Sequence, residues 1–241
     1  MKKTRKDADA FGHYLWDFHR KGPVPEIVER DDGYIKGGGL NYFSTYRRWP
    51  TYLRRALRLV RGRVLDVGCG AGQHVLYLQS KGFQVIGIDT SPLAVKVSRL
   101  RGVRDVRKMS FYTMTFRKRT FDTVVMLGNN FGLFGIPRRM KPLLRSLARI
   151  TTSRGRIIAE CRDPYKTDDP DHLKYHKINR ARGRLSGQTR IRVRYRSFVG
   201  PWFDYLFVSK HEMKTLLKGT GWRVRTFLGN GSQYCAVIEK E

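Results

Sequence analysis

The sequence predicts an α/β fold, a doubly wound and mostly parallel sheet, and three observations carry that prediction. Val64-Leu65-Asp66-Val67 is a short apolar run of the kind that makes a buried strand. Glycines at Gly68, Gly70 and Gly72 follow it, and Val75, Leu76 and Leu78 then set up a helical pattern. A second apolar run, from Phe83 to Ile88, ends on Asp89. Strand, glycine turn, helix and strand make the first βαβ unit of a doubly wound sheet. Glycine suits such a turn because the backbone must approach a ligand closely and take angles that a Cβ opposes.

The spacing of the glycines separates two kinds of cofactor. A nicotinamide or flavin site usually reads G-x-G-x-x-G, its helix N-terminus facing a pyrophosphate. Here the third glycine comes one residue early, and an acid, Asp66, precedes the first. A carboxylate is a poor neighbour for a pyrophosphate but can accept from an ammonium group, which S-adenosylmethionine carries. Asp89 falls about 20 residues beyond the first glycine, where a carboxylate can accept from ribose hydroxyls. Asp66-Val67-Gly68-Cys69-Gly70-Ala71-Gly72 followed by Asp89 closely resembles the first two motifs of the class I, Rossmann-like S-adenosylmethionine-dependent methyltransferases. The resemblance covers roughly Arg63 to Cys161 by motif and extends to the end by strand order. It implies S-adenosyl-L-methionine as cofactor and S-adenosyl-L-homocysteine as product. It also carries cofactor contacts to Asp66, Gly68, Cys69, Gly70, Gly72 and Asp89, with Thr90 beside the ribose. The plainer reading, a glycine turn in an ordinary α/β protein, is outweighed because several elements agree at the expected spacings. A dehydrogenase remains the alternative if the glycine spacing misleads.

At 241 residues the chain has room for one α/β domain with elaborations. No apolar run approaches the ~18–20 residues of a membrane span. The basic start, Met1 to Lys6, lacks the apolar stretch of a secretory signal. Cys69, Cys161 and Cys235 are few, odd in number and without metal-ligand spacing, so no metal and a reduced, cytoplasmic setting are expected. The formal net charge of +29 attracts polyanions and makes nucleic acid a possible partner. The positive residues are spread over most of the chain, which equally fits a charged surface of no special function. The sequence assigns no oligomeric state.

Residues 1–60 are expected to form an N-terminal helical and aromatic lid, and residues 61–241 the cofactor-binding domain. The lid begins with an amphipathic helix from Asp7 to His19, broken by Lys21-Gly22-Pro23-Val24-Pro25. Glu26–Gly39 reads as a loop ending in the triplet Gly37-Gly38-Gly39. The aromatic cluster of Tyr42, Phe43, Tyr46 and Trp49 offers candidates for covering the methyl group, and Thr51–Val60 resumes a helical pattern. Beyond Asp89, Thr90 or Ser91 can cap a helix whose first turn takes Pro92. Gly102–Arg107 reads as the third strand, broken by charge as at a sheet edge. The resemblance places adenine at Met109 and Ser110, although Ser110 stands where family members commonly carry a stronger acceptor, an acid.

Phe121–Leu127 is the fourth expected strand, and Gly128-Asn129-Asn130-Phe131 follows its carboxyl end. Ligands of open parallel sheets sit there, near the switch in strand order. Gly128 and Asn129 are therefore expected beside the sulfonium, and Asn130 and Phe131 on the substrate side. The Asn- or Asp-Pro-Pro-aromatic motif of many nucleobase and amide methylating enzymes is absent from this place. Pro137–Ile150 predicts a basic amphipathic helix and Arg154–Cys161 the fifth strand, with Arg162 and Tyr165 leaving it toward the substrate.

An insertion of about residues 166–208 is expected to hold a β-hairpin. In its first strand Arg190, Arg192, Arg194 and Arg196 alternate with Ile191, Val193 and Tyr195. The arginines share one face and Tyr195 the other, whereas interleaved aromatic and basic groups on one face would favour RNA. Trp202 opens the second, aromatic strand. Ser209 and Glu212 form a capping box, and Trp222–Leu228 with Gln233–Ile238 flank a hairpin turn at Gly229-Asn230-Gly231. The full expectation is a seven-stranded sheet with an antiparallel C-terminal hairpin, an N-terminal helical lid and a β-hairpin insertion.

Methyl transfer from a sulfonium is an in-line displacement that chiefly needs alignment and exclusion of water. A base is required only for a nucleophile that arrives protonated. No catalytic residue is therefore assigned. Tyr42, Tyr46, Trp49, Asn130, Phe131, Arg162, Tyr165 and Trp202 are the substrate-side candidates, with His172 and His176 as further pocket groups. The expected activity is methyl transfer to a small molecule. RNA methylation and a non-catalytic S-adenosylmethionine-binding module are the alternatives.

Overall fold

The structure is a computed structural model that describes residues 8–37 and 42–241. Met1 to Asp7, which include the expected basic tip, and residues 38–41 with most of the glycine triplet lie outside the described residues. The first helix, α1, runs Ala10–Lys21, a few residues later than its apolar pattern suggests. Asp9 fixes its start by accepting from Gly12 N at 3.0 Å, and Gly22 ends it in the left-handed region. Strands β1 (Ile27–Arg30) and β2 (Ile35–Gly37) follow where a loop is expected. A turn through Asp32-Gly33 joins them, and Asp-Gly is a hairpin signal that the sequence does carry. Helix α2 is Thr51–Leu57.

The nucleotide-fold core then runs β3 (Val64–Val67), α3 (Gln73–Ser80), β4 (Val85–Asp89), α4 (Pro92–Leu100), β5 (Val106–Lys108) and β6 (Phe121–Met126). Strand β5 is shorter than expected: of the residues from Val103 to Asp105, Asp105 alone reaches β4, its carbonyl accepting from Gly87 N at 3.0 Å. A 3-10 turn at Asn130–Phe134 leads to α5 (Pro137–Ile150) and β7 (Thr151–Arg162). The insertion holds a helix that the sequence pattern does not announce, α6 (Pro170–Ala181), and strands β8 (Gln188–Tyr195), β9 (Phe198–Val199) and β10 (Phe203–Leu206). Helix α7 (Lys210–Leu217) begins in the expected capping box, and β11 (Trp222–Leu228) and β12 (Gln233–Lys240) close the chain.

Seven strands form the main sheet in the order β11-β12-β7-β6-β3-β4-β5. All neighbours are parallel except at β12, which runs antiparallel to both β7 and β11. The strand order reverses between β3 and β6, and that switch point fixes where a crevice opens. Alternate residues of the buried strands feed opposite cores. Leu65, Val124 and Ile157 pack with α5 and α7, while Val64, Val125 and Ile158 pack with α2 and α3.

Trp222 anchors the outer edge of the first core, fully buried, its Nε1 donating to Leu144 O at 3.1 Å. Trp222→Ala is expected to lower stability by about 3–5 kcal/mol. Denaturant unfolding checks this, with S-adenosylhomocysteine affinity of the folded fraction unchanged because β11 is the strand furthest from the switch on its side.

The insertion is more than a hairpin. Strands β10-β8-β1-β2 form a second sheet, with β9 folded onto the end of β8. The pieces come from both ends of the chain, and Glu29 of β1 sits opposite Arg192 of β8 across 163 residues. Helix α1 packs between this sheet and the main domain through a third core, in which Ala10, Tyr14 and Leu15 meet Ala71, Ala94, Val97 and Tyr195. Asp9 reinforces the join by accepting from Ser91 Oγ at 2.9 Å and Leu93 N at 3.2 Å.

The arginines of β8 and of the turn after it do not form a free basic face. Arg192 and Arg194 pair with Glu29 at 2.9 and 3.3 Å, Arg190 with Asp204 at 3.8 Å, and Arg196 with Asp17 at 2.9 Å.

Candidate cofactor and acceptor site

The glycine loop leaves β3 at the switch and is lashed to β4. Gly68 N and Cys69 N both donate to Ile88 O, at 2.9 and 3.1 Å. Asp89 lies inside the loop, with its carboxylate accepting from Gly70 N and Ser91 N, each at 2.9 Å. Gly68 and Gly72 have positive φ, and a Cβ on either would meet Asn130 Nδ2 or Val103 Cγ2 at 2.6 Å. Only glycine lets the loop pass so close to the neighbouring elements.

Across the switch, Asn130 holds β6 to the loop by donating to Val67 O and Gly68 O, both at 2.9 Å. Asn129 takes a left-handed conformation and leaves its buried Oδ1 without a partner. Gly128 N donates to Glu160 Oε2 at 2.6 Å, Tyr52 donates to Glu160 Oε1 at 2.7 Å, and Tyr205 donates to Asn129 O at 2.7 Å. Met109 N donates to Asp89 O at 2.9 Å, so Met109 and Ser110 begin beside the end of β4.

The electrostatics of this crevice are unusual for so basic a chain. Asp66 is 1% exposed, and its Oδ2 has no partner. Burial, with the Asp89 carboxylate nearby, pushes its pKa up to about 8. Burial also raises Asp89, against the lowering effect of its backbone donors. The Cys69 thiol is pushed well up by burial, and the buried His74 imidazole is pushed down to about 3, so neither supplies charge near neutral pH.

A cover lies over the loop. A Cβ at Gly70 would stand 3.7 Å from the Phe11 ring and 3.8 Å from the Tyr42 ring. Tyr42 packs against Phe11 at 5.2 Å and Tyr14 at 5.9 Å between centroids. Glu26, 2% exposed, neighbours Tyr42.

The structure thus brings together Asp66, Gly68, Cys69, Gly70, Gly72, Asp89 and Thr90, with Gly128, Asn129 and Asn130 across the switch and Tyr42 above. It does not bring the other substrate-side candidates there. Phe131 is fully buried in the core beside Phe134, because its 3-10 turn faces inward. Tyr46 stacks on Tyr77 at 4.5 Å, and Trp49 packs on His74 and Tyr77 while donating to Ser44 Oγ. Both therefore line α3. Tyr165 is half exposed and donates to Glu212 at 2.6 Å, Arg162 is exposed at the end of β7, and Trp202 lies under the Arg192 guanidinium. His172 sits on α6 beside Asp169 and Tyr34, and His176 beside Tyr165.

Sequence reasoning passes over Glu26, Tyr14, Tyr205 and Glu160. Only Glu160 leaves a local signal, an acid inside the apolar run Ile157 to Cys161.

A family model described as a methyltransferase domain matches residues 65–159. An S-adenosylmethionine-dependent methyltransferase from Bacteroides fragilis, solved in complex with S-adenosyl-L-homocysteine, superimposes with a TM-score of 0.83 and 27% identity. That alignment covers 98% of this chain and 97% of the other. Residues 65–159 are thus a methyltransferase domain, set in a chain whose fold is that of an S-adenosylmethionine-dependent methyltransferase. Further relatives match over the cofactor half. A human lysine N-methyltransferase, named for a component of ATP synthase, is 35% identical over 121 residues, 49% of this chain and 50% of that one. The Streptomyces cypemycin N-terminal methyltransferase is 36% identical over 104 residues, 42% of each. The chain spans about half the length, or less, of those two relatives. Among its described residues no helix is long and apolar enough to cross a membrane.

Proposed function

We propose that this methyltransferase transfers the methyl group of S-adenosylmethionine to a small-molecule acceptor held between the glycine loop and its cover. The observation that carries the reading is the contact of Phe11 and Tyr42 with Gly70, which sets a roof over the crevice at the switch point. In this reading Asp89 accepts from the ribose hydroxyls, with Thr90 alongside, and Asp66 balances the ammonium group of the methionine moiety. Met109 and Ser110 border the adenine, and Gly128 and Asn129 lie beside the sulfonium. The orphaned Asp66 carboxylate fits a cationic group arriving in the loop. When bound, the cofactor supplies a methyl group already activated by positive charge. The chain's own residues orient and enclose. Asn130 fixes the spacing of loop and β6, while α1, Tyr42 and Tyr205 keep water out. The segment before residue 60 acts as cover together with the insertion at about residues 166–208, since β1 and β2 complete the insertion's sheet.

The paired arginines of β8 weigh against an RNA acceptor. The names of the two relatives support a second reading, a protein or peptide amine, although their matches fall on the cofactor half. Incubation with radiolabelled S-adenosylmethionine and separate metabolite, RNA and protein fractions tests the choice. Label in the metabolite fraction is expected, and label confined to RNA or protein replaces the small-molecule acceptor.

A further inference from the structure

Glu26 is a buried acid that the fold leaves without a cation. The chain carries 49 lysines and arginines against 20 aspartates and glutamates, and acids on the second sheet such as Glu29 and Asp204 are paired with arginine. Glu26 has no such partner among the described residues. Its Oε2 is buried and makes no hydrogen bond, and Tyr42 is its polar neighbour. A buried carboxylate without a counter-charge costs stability wherever it ionises. Burial pushes its pKa up to about 7.

The surroundings are aromatic. Tyr14 and Tyr42 both feel the Glu26 carboxylate, and Tyr42 in turn feels Tyr205, whose hydroxyl is bound at Asn129 O. Tyr42 also touches the place above Gly70. Glu26 therefore lies beside Tyr14 and Tyr42, and through Tyr42 it adjoins the glycine loop at Gly70, among aromatic rings of the kind that favour a cation.

We propose that Glu26 is a catalytic carboxylate that receives an amine acceptor. This rests on the small-acceptor reading above and names its class: a primary or secondary amine that arrives as an ammonium ion. Glu26 pairs with the ammonium and takes one proton, which leaves the nitrogen lone pair free. That pair attacks the methyl carbon, the carbon–sulfur bond breaks with its electrons going to sulfur, and S-adenosylhomocysteine forms. The methylated nitrogen carries the positive charge away, and Glu26 returns its proton to water. An alcohol or carboxylate acceptor gives these rings no cation to hold.

The test uses the full chain, radiolabelled S-adenosylmethionine and the small-molecule fraction of a cell extract. One portion of the fraction is treated with N-hydroxysuccinimidyl acetate and then hydroxylamine, which blocks amines and restores thiols and phenols. Label transfer is expected in the untreated portion and is expected to vanish in the acylated one. Glu26→Gln is expected to lower transfer at least tenfold while S-adenosylhomocysteine affinity, read by calorimetry, stays within twofold. Full labelling after acylation, or a Glu26→Gln protein as active as the wild type, overturns the assignment and leaves the methyltransferase reading standing. No label from the untreated fraction overturns the small-acceptor reading and the amine with it, and retained S-adenosylhomocysteine binding then marks the cofactor site as sound.

Discussion

Asp89→Ala is expected to weaken S-adenosylmethionine and S-adenosylhomocysteine binding by tenfold or more, about 1.4 kcal/mol at the least. Two effects add. The ribose hydroxyls lose their acceptor, and the loop loses its internal brace, because Gly70 N and Ser91 N both donate to this carboxylate. A buried backbone donor left without an acceptor costs about 1–3 kcal/mol by itself. Asp89→Asn keeps the size but turns one accepting oxygen into an amide nitrogen, so it is expected to fall nearer to alanine than to wild type. Calorimetric titration with both ligands, on protein shown to be folded, checks the result. Wild-type affinity in Asp89→Ala would remove Asp89 from the cofactor site.

Asp66→Asn is expected to make the ligand-free protein more stable and the ligand-bound protein worse. The folded pKa of Asp66 is raised from the ordinary 3.8 to about 8. Folding therefore favours its protonated form. The stability that goes with the protonated form is fully present below about pH 4 and is lost as the pH rises through about 8. Taken whole, the shift corresponds to on the order of 5 kcal/mol, and water entering the crevice and local relaxation reduce this to about 1–3 kcal/mol. Asparagine carries no charge to bury. Thermal melts of the two proteins should nearly coincide at pH 4 and diverge toward pH 8, with Asp66→Asn the higher. Saturating S-adenosylmethionine should reverse the order at pH 8, because the variant has lost the counter-charge for the ammonium group. Parallel melting curves across this range would show that Asp66 is not ionising inside the fold.

The cofactor half is legible in the sequence because its signals are local. Asp66 to Gly72 and Asp89 sit within one βαβ unit, and their spacing alone implies a loop bent over a strand end. The capping box at Ser209 and the Ser91-Pro92 helix start are equally local, and both form. The acceptor half is not legible, for a physical reason. Glu26 follows a proline in a stretch without pattern, and it is buried just ahead of β1, whose partner β8 lies far along the chain. Tyr46 and Trp49 lie in an aromatic run that suggests a cover, yet the segment turns along α3, where Tyr77 and His74 offer ring partners. Phe131 follows the right strand but faces the core. For Glu26, Tyr46 and Trp49 the surroundings come from elements further along the chain, and for Phe131 from the inward-facing turn that carries it.

The second sheet also bears on the order in which the molecule comes together. Its central pairing, β1 with β8, joins segments separated by most of the chain, whereas β3, β4 and their crossover are neighbours. Distant pairings are slow, since the chain must give up the freedom of a long loop before any contact repays it. The glycine loop can therefore form early in synthesis, while α1 and β1 wait for β8 to emerge. Assembly runs from donor side to acceptor side, and the site closes last at the point where chemistry would take place.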